Sequence, residues 1–278
     1  EPNFQNLEPW DDVTRQVCDF LWNHIISRED LQLARSTVKV EVEGKLGTLV
    51  DKDTNQRLEL PVASQCVLTK PVEKLAFKSF MNENQHKHLN KCLNEEVAKS
   101  IHDPRRAKIQ YEHLRETDSF HKLSRESIGL LPPVAISYLS GQNRNPRVRI
   151  SQDSKTKQIK ARIIKARVAD LDIYSPREAF DCRISINVEI ECPEDVGMER
   201  SEDGPRVKDR MSYKHQNCQI DLTQVSQADP NSAKTHELEV ELGTDALIDQ
   251  GNLAKQNVDN AYEDLVKQFV SNIRVLSR

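Results

Sequence analysis

The chain has 278 residues, 37% of them hydrophobic and 30% charged, enough apolar mass for a real core beneath a polar surface. Its formal net charge of −4 argues against a generic nucleic-acid coat, which is basic overall. No apolar run approaches the roughly 18 residues of a membrane span, so no membrane partner is expected.

The six cysteines form no CxxC pair and follow no secretory apolar stretch, which points to reduced thiols in an intracellular protein rather than a disulfide framework. The chain opens at Glu1 without a methionine, which leaves room for a longer N-terminal region.

In chain order, residues 8–30 spell a helix, with Asp11 and Asp12 early and Val13, Val17, Phe20, Leu21 and Ile25 at helical spacing. Strands are expected over 37–43 and, past the polar turn at 51–55, over 57–60 and 65–68. A helical insertion spans 73–101, where Leu75, Phe77, Phe80, Leu89, Leu93, Val97 and Ile101 sit among polar residues. A strand-like piece at 107–115 precedes the polar 116–127 and a Leu-Pro-Pro break at 131–133. Strand signals then follow at 134–139, 146–151, 158–168, 182–191, 207–215, 217–222 and 235–242. Between them residues 193–205, rich in Pro, Glu, Asp and Gly, read as an exposed loop. A last helix over 252–276 carries Val258, Tyr262, Leu265, Val266, Phe269, Val270 and Ile273 on one face, suited to packing beneath the strands. Apolar surface here or near Trp10 and Trp22 is available for a dimer contact.

The charge pattern on the strands is the most informative feature. Glu237-Leu238-Glu239-Val240-Glu241-Leu242 repeats the alternation of Val40-Glu41-Val42-Glu43. Successive strand residues face opposite ways, so each run lines its glutamates about 7 Å apart on one face and its aliphatic residues on the other. If the two strands are neighbours, five carboxylates converge, and their mutual repulsion calls for a cation. Oxygen-only donors suit Mg²⁺ or Mn²⁺ rather than zinc.

Cationic strands lie between them in sequence: Arg147/Arg149, Lys165/Arg167 and Arg206-x-Lys208-x-Arg210. A solubility face usually mixes signs, whereas these faces are sorted. The pattern reads as an α+β fold, a single domain over 1–278 built on a closed antiparallel barrel of roughly eight strands with a polar interior and helices packed outside. A carboxylate seat facing a cationic wall within one tunnel is what phosphoryl transfer requires.

Other signals are weak. His86 and His88 read as surface residues, no His/Cys spacing suggests zinc, and His236 points away from the glutamate face. With eight glycines and no GxxxxGK[ST] or GxGxxG, phosphate binding falls to side chains on strands. Lys160 and Arg162 share one parity and Lys165 and Arg167 the other, which predicts a bulge near Ile163. The inward choice between Arg147 and Arg149, and between Lys165 and Arg167, stays open by two residues.

Glu41-x-Glu43-x-Lys45 resembles the ExExK signature of the triphosphate tunnel metalloenzymes. Lys45-Leu46-Gly47-Thr48-Leu49, Tyr174-Ser175-Pro176, Arg183-Ile184-Ser185-Ile186-Asn187-Val188-Glu189, Arg206-Val207-Lys208-Asp209-Arg210-Met211-Ser212 and Glu237-Leu238-Glu239-Val240-Glu241 are similar, more narrowly, to the fungal RNA 5′-triphosphatases, the β subunit of the yeast mRNA capping enzyme.

The resemblance implies an eight-strand tunnel and hydrolysis of the γ-phosphate from triphosphate-ended nascent RNA, leaving a 5′-diphosphate for a guanylyltransferase. It implies Glu41, Glu43 and Glu241 as ligands of Mn²⁺ or Mg²⁺. Arg149, Lys208 and Arg210 would hold the γ-phosphate, with Lys165 also reaching the triphosphate and Arg147 and Arg167 as alternatives in register. Glu189, on a facing strand, would orient the attacking water. Lys45 belongs to the signature, Glu237 and Glu239 would hold cations in place, and Arg206 and Asp221 would support the tunnel. A homodimer, contacts to the capping and transcription machinery and a nuclear location are also implied. Competing readings are an inorganic or nucleoside triphosphatase with the same tunnel and a non-catalytic polyanion-binding or scaffold barrel.

Overall fold

The computed structural model describes residues 11–69, 74–140, 146–194, 196–201, 204–227 and 232–278. Trp10 and the start of the expected N-terminal helix lie outside the described residues.

The N-terminal helix α1 (Asp12–Leu21) runs into a π-helical turn (Trp22–Ile26) and, after a break at Ser27–Arg28, the short α2 (Glu29–Leu33). β1 (Lys39–Asp51) is twice the expected length. Its alternation fades after Lys45 because Leu46, Leu49 and Val50 are all buried as the strand leaves the barrel wall. The expected strand at 57–60 is absent, reduced to a single bridge between Arg57 and Val50, while β2 (Cys66–Leu68) forms as expected.

The helical insertion is shorter than its sequence pattern. Residues 75–78 form β3 (Leu75–Lys78), paired with the end of β1, and only then does α3 (Glu83–His102) begin. Asn82 caps it: its side chain accepts from the Gln85 backbone, and Gln85 answers onto Asn82. β4 (Gln110–Leu123) runs straight through the polar 116–123, since one of its faces lines a polar interior.

After α4 (Arg125–Ile128), the expected strand at 134–139 is instead helix α5 (Pro133–Ser140). Pro133 occupies the first helical position, where its missing N–H costs nothing, and Ala135 and Leu139 fall on one buried face at i, i+4.

β5 (Arg147–Asp153), β6 (Ile159–Tyr174) and β7 (Asp181–Glu191) follow. The loop expected at 193–205 carries β8 (Met198–Arg200), paired with the end of β4, and Val196 is buried. Asp195, Glu202 and Asp203 lie outside the described residues. β9 (Arg206–His215), β10 (Cys218–Gln227) and β11 (Thr235–Leu242) complete the strands. The single helix expected over 252–276 is two, α6 (Thr244–Lys255) and α7 (Tyr262–Ser277), separated where Asn257 takes a positive φ of 54°. Val258 therefore sits exposed in the connection.

Eight of the described strands close in the order β1-β11-β10-β9-β4-β5-β6-β7 and back to β1, every pair antiparallel. The barrel is inside-out relative to a water-soluble sheet with an apolar core. Val40, Val42, Ile184, Ile186, Val188, Leu238, Val240 and Leu242 point outward and are buried beneath helices, among them Phe269 and Ile273 of α7. Each such side chain contributes roughly 1.5–3 kcal/mol on leaving water. Gly47 of β1 lies so close to β3 that a Cβ there would stand 2.8 Å from the Phe77 ring and on the Lys78 carbonyl.

At the barrel's end Asp181, fully buried, accepts from the backbone N–H of Leu49 and Ser175 and from a forked Arg57. This ties the Tyr174-Ser175-Pro176 turn to β1. No described helix is long and apolar enough to cross a membrane.

Candidate active site

The pairing of β1 with β11 brings the two glutamate runs together. Glu43 lies opposite Glu241 and Lys45 opposite Glu239, while on the other edge Glu41 lies opposite Asn187 and Lys39 opposite Glu189. Inward parity is shared all round, and the bore encloses a cavity of about 400 Å³.

Glu41, Glu43, Lys45, Arg149, Lys165, Glu189, Arg206, Lys208, Arg210, Asp221, Glu237, Glu239 and Glu241 all line the cavity. Arg147 and Arg167 do not. Arg147 is exposed at the end of β5, and Arg167 turns to Asp170 at 2.7 Å, its guanidinium 3.9 Å from Glu43. The expected bulge at Ile163 is also misplaced. Pairing of β6 slips instead at Lys160, against β5, and at Val168, against β7. Arg162 simply faces outward beside Ile164. Glu189 is on the strand adjoining β1, not across the bore from it.

Opposite charges are matched around the wall. Lys165 bridges Glu41 and, at 3.2 Å, Glu43. Lys45 meets Glu239 at 2.6 Å and Glu43 at 3.5 Å. Lys208 is buried against Asp118 at 2.8 Å, and Ser151 donates to that same carboxylate at 2.6 Å. Arg210 faces Asp221 at 3.3 Å, Arg206 faces Glu237 at 3.4 Å and Arg149 faces Glu189 at 3.5 Å.

Ionisation follows from these neighbours. Burial, then Glu41 beside it, pushes Glu241 up to about 7. Burial alone would raise Glu239 as well, but Lys45 against it holds that carboxyl at about 2. Glu237 is raised by burial and by Glu239, and Asp221 by burial in spite of Arg210. The Lys45 ammonium, despite burial, is held above its ordinary range by Glu239 and Glu43.

Among the described residues the Nε–H groups of Arg149 and Arg210, both on the cationic wall, are buried without an acceptor. On the carboxylate side, among the described residues, Asn187 Oδ1 is buried without a donor, and Glu189 Oε1 has only the 3.5 Å ion pair with Arg149.

Among the described residues no three His, Cys, Asp or Glu side chains form a ready metal cluster, and Lys165 bridges Glu41 and Glu43. The donor set nonetheless fits a hard divalent cation. Glu41, Glu43 and Glu241 supply only oxygens, and burial together with the neighbouring Glu41 raises Glu241. The lining carries eight carboxylates against seven lysines and arginines, so one divalent ion makes the bore net positive and able to draw in a polyphosphate.

Reading the sequence missed Asp118, Thr223, Lys39, Ser79 and Phe120, which also line the bore. Asp118 shares parity with Glu116, an acidic alternation overlooked because the stretch lacks apolar partners. Outside the bore, His236 faces away from the glutamates as expected. His86 corrects the surface reading: it is buried, its ring 4.5 Å from that of His236, and burial together with His236 lowers it to about 4.

The mRNA-capping enzyme subunit beta of Schizosaccharomyces pombe is 34% identical over 285 positions, covering 100% of this chain and 84% of that protein. Its counterpart in Cryptococcus neoformans is 29% identical, covering 96% of this chain and 63% of the relative, so the chain spans less than two thirds of some relatives. The fold is similar to that of the S. pombe Pct1 RNA triphosphatase, with a TM-score of 0.82, 33% identity and coverage of 100% of this chain and 97% of that one. The same protein in complex with the Spt5 CTD is equally similar at 0.82. Residues 7–278 match the family described as mRNA capping enzyme, beta chain, and the chain belongs to that family.

Proposed function

We propose that the bore is the active site of a metal-dependent RNA 5′-triphosphatase that hydrolyses the β–γ phosphoanhydride of nascent mRNA in the first step of cap formation. The observation that carries this reading is a single bore lined on one side by Arg149, Lys208 and Arg210 and on the other by the Glu41/Glu43/Glu241 seat.

The γ-phosphate sits against Arg149, Lys208 and Arg210, with Lys165 exchanging its carboxylate partners for phosphate oxygens. In this reading Glu189 orients water and accepts its proton as the oxygen attacks γ-phosphorus in line. The bond from γ-phosphorus to the bridging oxygen breaks, and its electron pair leaves with the 5′-diphosphate end. Glu237, Glu239 and Asp221 keep Arg206, Lys45 and Arg210 in register, so the wall is preorganised where charge develops. A bound Mn²⁺ or Mg²⁺ at Glu41, Glu43 and Glu241 supplies further charge neutralisation on the phosphate oxygens.

The S. pombe relative's complex with the Spt5 CTD supports a partner in the transcription machinery for this chain too. A nuclear location, a homodimer and contact with a capping guanylyltransferase belong to the same proposal.

The deciding measurement is phosphate release from triphosphate-ended RNA, ATP and tripolyphosphate, each with and without Mn²⁺ or Mg²⁺. Metal-dependent release from RNA supports the reading. Release confined to ATP and tripolyphosphate would make the chain a small-molecule triphosphatase, and binding without release would make it a polyanion-binding barrel.

A further inference from the structure

We infer that Asn187 is a positioning residue that holds Glu41 and Glu43 as a pair ready for a divalent cation; this rests on the metal-dependent reading of the bore. Asn187 stands on β7 directly opposite Glu41 in the ladder and is 1% exposed. Its Nδ2 donates to Glu41 Oε2 at 2.8 Å and to Glu43 Oε1 at 3.1 Å. One amide nitrogen carries two hydrogens, so both bonds are made at once. The reverse orientation would aim the amide oxygen at two carboxylates. With Oδ1 buried and unpartnered, the side-chain hydrogen bonds that orient this amide among the described residues are those to the two carboxylates.

The physical value of an amide here lies in its neutrality. Two carboxylates two residues apart on one strand face repel, and something must hold them together before a metal arrives. Lys165 also bridges them, but its ammonium competes with a cation for the same oxygens and has a long stem on which to swing away toward phosphate. Asn187 has a short side chain rooted on the neighbouring strand. It stays where it is, lowers the repulsion and adds no positive charge. Ligands oriented by such hydrogen bonds typically lose about tenfold or more in metal affinity when the partner is removed.

The test uses Asn187→Ala and Asn187→Leu, the second keeping the same number of side-chain heavy atoms so that the buried volume stays filled. Mn²⁺ dissociation constants are measured by EPR, folding by thermal melts in EDTA, and phosphate release as a function of Mn²⁺ concentration. The expected result is an affinity loss of about tenfold in both variants, with turnover restored at saturating Mn²⁺ to within about threefold of the parent. Parent-like Mn²⁺ affinity in the variants would overturn the assignment and leave the reading of the bore intact. Turnover that stays low at saturating Mn²⁺ would also overturn it, since a general structural defect behaves that way. If the parent protein takes up no Mn²⁺ that Glu41→Gln abolishes, the metal-dependent reading falls and this inference with it.

Discussion

Glu43 and Glu241 stand directly opposite one another across the β1–β11 ladder, two acidic side chains facing the same bore. Like charges in this relation destabilise a sheet. The barrel tolerates them because Lys45, Lys165 and Asn187 share the load on Glu43, while Glu241 retains a proton up to about 7.

Glutamine at any of the three seat positions therefore separates catalysis from folding. Glu41→Gln, Glu43→Gln and Glu241→Gln are expected to lower phosphate release by at least about 100-fold, the scale on which a single preorganised electrostatic group acts. Their melting temperatures in EDTA should match or exceed the parent's, because repulsion is relieved. A fall in melting temperature on the scale of a core cavity would mean that these carboxylates are structural.

The raised Glu241 predicts a slope of stability with pH in the metal-free protein. Its folded pKa of about 7 lies above the ordinary 4.5, so between these values the folded state holds more protons than the unfolded one. That contribution is complete below about 4.5 and disappears as the pH rises through about 7. Because the side chain is about one-third exposed, solvent screening reduces it to about 1–2 kcal/mol. His86 and His236, both lowered by burial, contribute the opposite slope on the acid side, so the difference between parent and Glu241→Gln isolates the carboxylate. Melts in EDTA should show the variant gaining relative stability toward neutral pH; parallel curves would remove Glu241 from this role.

Arg210→Lys keeps the charge and loses the guanidinium fork. With Asp221 at 3.3 Å and a planar guanidinium lining the bore, Arg210 offers geometry that a point charge on a flexible stem does not reproduce. Phosphate release should fall about 10–100-fold, since each such charge-assisted bond is worth about 1.5–3 kcal/mol. Parent-like kinetics would take Arg210 out of the phosphate site.

Gly47→Ala tests the frame rather than the bore. The added methyl meets the Lys78 backbone and the Phe77 ring, so β3 must shift or β1 must bend. A loss of about 1–3 kcal/mol is expected in chemical denaturation. An unchanged midpoint would show that β3 is only loosely attached.

Much of the site could be read because its residues obey a period of two. Glu41/Glu43/Lys45, Lys208/Arg210 and Glu237/Glu239/Glu241 needed only strand alternation to be placed together, and the ladder supplied the rest. What escaped depended on context. Residues 134–139 are apolar enough for either element, and Pro133 with the i, i+4 pair Ala135/Leu139 settled on helix. Asp118 was hidden in a stretch with no apolar face, since its strand faces a polar bore inside and solvent outside. Parity could not place Arg147 or Arg167 relative to the cavity, because the ends of a tunnel and a slip at Val168 are three-dimensional facts. His86 looked like a surface residue until α3 was laid against β11.

The β1–β11 seam joins Lys45 to Glu239 across 194 positions of chain. A ribosome must therefore have released nearly the whole domain before the two halves of the carboxylate seat can meet, and such distant pairings are slow to form. The pairing that brings Glu43 against Glu241 is thus among the most distant in sequence that the barrel must make. A divalent ion that prefers the closed ring would act as its fastener, and its uptake would report, during refolding, the moment at which the final staves are joined.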